Sequence, residues 1–66
     1  MTEIIKNTIM NNLEKKLKIV IMNDFIYHGY AIDVDEEFVS IRLDKSADIK
    51  IVRLDIIKEV IIVDAN

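Results

Sequence analysis

The sequence predicts a mainly β domain, in which an N-terminal α-helix is followed by a strongly bent, five-stranded antiparallel barrel. Three observations carry that expectation. In Leu17-Ile19-Ile21 and Val39-Ile41-Leu43 the apolar residues fall at every second position, the period that sets them on one face of a strand. Polar turn signals, Asn23-Asp24 and Asp44-Lys45-Ser46-Ala47-Asp48, punctuate the apolar runs. Gly29, the one glycine of the chain, stands in the middle of the otherwise bulky run from Phe25 to Asp35. A lone strand glycine marks a sharp bend or a close backbone approach, and a small closed barrel needs strands that bend.

The helix is expected over about residues 3–14. Thr2 suits its N-cap and Glu3 the positive end of its dipole. Ile5, Ile9 and Leu13 recur at four-residue spacing, with Ile4 and Met10 broadening the stripe. Asn7, Asn11 and Asn12 weaken the propensity, so the helix leans on packing, across an open end of the barrel. Lys15, Lys16 and Lys18 would fall at its C-terminal end, where positive charge is favourable; the competing reading is a phosphate-contacting patch.

The barrel is expected over about residues 16–64. Asn23-Asp24 reads as a two-residue hairpin turn between the first two strands. The third strand ends at Leu43 and the fourth runs from Ile49 to Leu54. Asp55-Ile56-Ile57 makes one tight turn before a fifth strand from Lys58 to Asp64. Val60-Ile61-Ile62-Val63 is apolar on both faces, which fits a strand with one face in the core and the other on a neighbouring subunit. Met1, Met10 and Met22 read as packing residues. Tyr27 and Tyr30 read as barrel or interface aromatics.

With 66 residues the chain reads as a single domain. A domain of this size buries only about 60% of the surface its unfolded chain exposes, and it usually recruits disulfides, a metal or partner subunits. The absence of cysteine excludes a disulfide framework and a thiolate site, and a single histidine argues against structural zinc. Oligomerisation remains, and a composition that is 52% hydrophobic points the same way. Twelve acids against nine bases argue mildly against a general nucleic-acid coat, but not against local base recognition. No apolar run approaches a membrane span and Met1-Thr2-Glu3 lacks the basic start of a secretory signal, so the expected setting is cytoplasmic.

Two stretches resemble the Sm-like family. In the first, Asp24 stands at the loop-glycine position of the family's first motif, Gly29 matches its strand glycine, and Asp35 follows six residues later. In the second, Val52-Arg53-Leu54-Asp55-Ile56-Ile57-Lys58-Glu59-Val60 is similar to the pattern I-R-G-D-N-I-x-x-I at the apolar positions, the Arg and the Asp. The leading helix and the short turn before the fourth strand also resemble bacterial Hfq, without its Tyr-Lys-His signature. The resemblance implies an SH3-type barrel. It also implies a homo-oligomeric ring of five to eight subunits, in which the fourth strand of one copy pairs with the fifth of the next. Members bind single-stranded, uridine-rich RNA near the pore. With one residue inserted after Asp35, the resemblance puts the base-stacking position on Phe38 and the amide position on Ser40. Arg53 falls on the Arg that closes the pocket, and Asp55 on the acid that fixes it.

The chemistry of this set is coherent. Phe38, Ser40 and Arg42 share one strand face, opposite Val39, Ile41 and Leu43. An aromatic face stacks any base and an Arg plane can cover it. The serine hydroxyl cannot read uracil's donor and acceptor together as an amide can. Ser40, Leu54 in place of Gly and the inserted acid are departures that bear on uridine specificity. Asp33, Asp35, Glu36 and Glu37 crowd the approach to Phe38, so binding would be weak and steeply salt-dependent. The plainer reading of Asp35 is a turn residue bonded to nearby backbone. These carboxylates could gather Mg²⁺ or Ca²⁺, but no EF-hand spacing supports it, so neither a metal nor a cofactor is expected. His28 beside Gly29 reads as a partly exposed strand residue. With no nucleophile–base pair or phosphate loop, no enzyme is expected. The competing reading is a protein-interaction or scaffolding ring of the same fold that does not bind RNA.

Overall fold

A computed structural model describes residues 3–63. One helix, α1 (Glu3–Met10), precedes the strands β1 (Lys16–Ile21), β2 (Ile26–Val34), β3 (Phe38–Leu43), β4 (Ile49–Arg53) and β5 (Ile57–Ile62), with a 3-10 turn at Leu54–Ile56 between the last two. The strands form one sheet in the order β4-β3-β2-β1-β5, and every pairing in it is antiparallel. The mainly β expectation holds. The closed barrel does not, because β4 and β5 lie at the two edges of the sheet and do not pair with each other. Their connection is a single tight turn, and β5 leaves it to pair with β1. That turn is nonetheless tied to both neighbouring loops. The Leu54 N–H donates to the Glu37 carbonyl at 2.8 Å and the Met22 N–H to the Ile56 carbonyl at 2.9 Å.

The alternating residues do what their period dictates. Leu17, Ile19, Val39 and Ile41 are all but fully buried, and they cluster with Ile9, Ile21, Ala31, Val52, Leu54 and Ile57. Burial of each large apolar side chain in such a core contributes about 1.5–3 kcal/mol before the entropy of ordering it.

Gly29 is a close approach rather than a bend. It sits between Leu17 and Leu43 in the sheet. A Cβ placed on it would lie 2.3 Å from the Arg42 carbonyl oxygen. The irregularity in β2 falls further on, where the pairing with β3 shifts between Ala31 and Asp33. A second shift interrupts the β1–β5 pairing between Val20 and Ile21. Such bulges strengthen local twist and let a short sheet curl.

The turn after β1 also departs from expectation. It is a three-residue loop of Met22-Asn23-Asp24, with the Asp24 N–H donating to the Ile21 carbonyl at 2.8 Å and the Ile21 N–H to the Phe25 carbonyl at 2.9 Å. Asp24 takes the left-handed conformation at φ 68°, the place a glycine commonly fills in loops of this length. The Asn23 side chain accepts from the Phe25 N–H at 3.0 Å and completes the loop. The loop at 44–48 forms as expected, with Ala47 left-handed at φ 61°.

The helix is shorter than its apolar spacing predicts. It stops at Met10, and residues 11–14 form turns. Asn12 gives the reason, because its side-chain amide donates to the Thr8 carbonyl at 2.7 Å and so competes with backbone pairing. Glu14, left-handed at φ 66°, then donates its N–H to the Ala31 carbonyl of β2. Lys16 and Lys18 therefore belong to β1, and no basic residue caps α1. Ile5, Ile9 and Leu13 pack on the core, whereas Ile4, Met10 and Met22 are exposed. The expected cap at Thr2 and the packing role of Met1 lie outside the described residues, and β5 spans Ile57–Ile62 where Lys58 to Asp64 was expected. Among the described residues no helix is long and apolar enough to cross a membrane.

Candidate nucleic-acid interface

β3 and β4 pair so that Phe38 stands directly opposite Arg53. The β2–β3 turn and the 3-10 turn flank that pair. Together they enclose a groove of about 320 Å³ lined by Glu36, Glu37, Phe38, Arg53, Leu54 and Asp55. Three of the five expected site residues, Phe38, Arg53 and Asp55, thus meet in one place. The ring of Phe38 is half-exposed. An Arg53 guanidinium N–H donates to Asp55 Oδ2 at 2.6 Å, and both side chains of this pair are exposed.

The other two residues go elsewhere. Ser40 lies two positions along β3, opposite Asp33 and Ile51, on the same face but outside the groove's lining. Arg42 is engaged by its own neighbours. Its guanidinium donates to Glu14 Oε1 at 3.1 Å and sits 5.2 Å from the centroid of the Tyr30 ring, which faces it across the β2–β3 pairing. A cation stacked and paired in this way is not free to reach a base at Phe38.

Asp35 builds the turn that presents Phe38. Its Oδ1 accepts from the N–H groups of Glu37 and Phe38, both at 2.8 Å, and its own N–H donates to the Phe38 carbonyl. The side chain replaces a backbone carbonyl, and none of the turn residues needs a positive φ. The Glu37 and Phe38 N–H groups favour the ionised carboxylate and hold Asp35 below its ordinary range. Since the folded value lies below the unfolded one, this contribution is full above the ordinary carboxylate range and fades as pH falls through the lowered value. Thermal melting at about pH 5 and about pH 2 tests this. The native chain should lose more on acidification than Asp35→Asn, and equal losses would contradict the assignment.

Glu36 and Glu37 lie in the lining beside Phe38, and Leu54 lies in it at the position where the Sm-like pattern has a glycine. Leu54 is buried in the core, and Arg53 and Ile57, on either side of the turn, both keep extended backbone. Leu54 does not adopt a positive φ, so a glycine is not needed here, and the buried leucine anchors the turn. Glu36 pairs with Lys6 of α1 at 2.6 Å, which ties the helix to the rim of the groove. Such exposed pairs contribute about 0–1 kcal/mol. Among the described residues no three His, Asp or Glu side chains converge as metal ligands. The chain matches no family model, no curated protein and no solved structure.

Proposed function

We propose that the chain is an Sm-like subunit of a homo-oligomeric ring that binds single-stranded RNA by base stacking at the groove around Phe38. The observation that carries this is the meeting of Phe38, Arg53 and Asp55, an exposed ring opposite an oriented guanidinium. A base can stack on the first and be covered by the second, with about 1–3 kcal/mol per stacked base. The strand order supports the ring. It leaves β4 and β5 as the unpaired edges, with Ile49 and Ile51 of β4 and Ile61 and Ile62 of β5 exposed. Apolar edge strands left open are templates for pairing with another chain.

In this reading Phe38 does the stacking and Arg53 covers the base. Asp55 positions Arg53, and the Asp35 turn sets the angle of Phe38. Ser40 is a neighbour on the face along which the strand runs, and Arg42 braces the β2–β3 pairing. Fluorescence anisotropy with labelled oligo-U and oligo-A at low salt is the test. Phe38→Ala should weaken binding by about 5- to 150-fold, the equivalent of one lost stack. Equal affinity in the variant would remove the pocket.

A second reading rests on Glu36, Glu37 and Asp55, which supply three acids to the lining against one Arg. Phosphates meet that rim unfavourably, as expected of a scaffolding ring that does not bind RNA. A 260/280 nm absorbance ratio typical of bare protein, with no oligonucleotide bound at low salt, would favour it.

A further inference from the structure

A second groove, of about 560 Å³, lies at the opposite end of β2, between its first residues and the β3–β4 loop. Phe25, Tyr27 and Leu43 supply apolar walls, and Lys16, Lys45 and Lys50 line it as well. That gathers three of the nine basic residues of a chain whose net charge is −3. Asp44 is the one acid in the groove, and Lys16 already holds it at 3.2 Å. Lys45 and Lys50 have no ion-pair partner among the described residues.

We infer that this groove docks an acidic segment of a partner protein that carries one aliphatic anchor residue. The unpaired lysines set the charge of the occupant. The rings set its shape. Phe25 and Tyr27 meet edge to face, with centroids 4.9 Å apart and planes at 70°. Two rings at that angle form a corner. A branched aliphatic side chain fills a corner, whereas a flat nucleobase lies against only one of its walls. Phe25 is more than half exposed, so its outer surface is open to such an anchor. The geometry therefore favours a peptide over a nucleotide, and acids beside the anchor would meet Lys45 and Lys50.

The probe is a labelled five-residue peptide with a central leucine between two pairs of acidic residues, titrated by fluorescence anisotropy at low salt. Binding should weaken about tenfold when the leucine is replaced by glycine, the scale of one buried aliphatic side chain. It should weaken by at least about tenfold in the Lys45→Glu, Lys50→Glu double variant, and fall as salt screens the lysines. These side chains are exposed, and circular dichroism checks that the variant stays folded. Phe38→Ala should leave peptide affinity unchanged, which separates this groove from the RNA reading. Undetectable binding, equal affinity in the double variant, or oligo-A binding that depends on Lys45 and Lys50 in place of the peptide would each overturn the inference.

Discussion

Gly29→Ala is expected to cost about 3 kcal/mol or more, and so to unfold a large share of the molecules. The added methyl group would lie 2.3 Å from the Arg42 oxygen, 3.0 Å from its carbonyl carbon and 3.0 Å from the Leu43 Cα. All three are backbone atoms of β3, so no side chain can swing away to make room. Relief requires β2 and β3 to part at the centre of the sheet, where Gly29 pairs with both Leu17 and Leu43. Gly29 does not adopt a positive φ, so the requirement is for space and not for backbone freedom. A domain this small holds roughly 3–10 kcal/mol in total, at about 0.05–0.15 kcal/mol per residue. Urea unfolding followed by circular dichroism reads the loss directly. A midpoint equal to that of the native chain would mean that the two strands are further apart than described.

Ile9→Ala should be the next most damaging change, at about 2–5 kcal/mol. Ile9 is the one fully buried residue of α1 and packs within the main core cluster. A helix of eight residues has little stability of its own, so its place over the sheet depends on that anchor. Ile4→Ala is the matched control, because Ile4 is 80% exposed on the same helix. Its effect should stay within about 0.5 kcal/mol. Similar losses in the two variants would show that the helix does not pack through the face described.

The parts of the fold legible in the sequence are those ruled by period. Alternation placed Leu17, Ile19, Val39 and Ile41 in the core, and four-residue spacing turned Ile5 and Ile9 inward, whereas Leu13 packs on the core from the turn after the helix. What escaped was decided by competition between neighbours. The helix ends early because the Asn12 amide takes a backbone carbonyl, a contest that apolar spacing does not register. Met10 and Met22 look like core residues by type but lie where the chain turns away from the sheet. Closure of the barrel requires the last strand to pair with β4 as well as with β1, and an apolar strand suits either pairing, so its sequence does not say that β4 stays unpaired.

The site divides along the same line. Phe38 and Arg53 lie on separate strands, and only the β3–β4 register sets them face to face. Asp55 is near Arg53 in sequence, so that contact was legible. Arg42 shares the alternation of Phe38 but is drawn off by Tyr30 and Glu14. Glu14 reaches it from the turn after α1, whose left-handed conformation no spacing rule announces.

In the proposed ring the two open edges of the sheet, β4 and β5, find each other in different copies of the chain. Light scattering on the purified protein at micromolar concentration tests it most directly. A single species of five to eight times 7.7 kDa is the predicted result. A particle of 7.7 kDa that remains folded on dilution would contradict it.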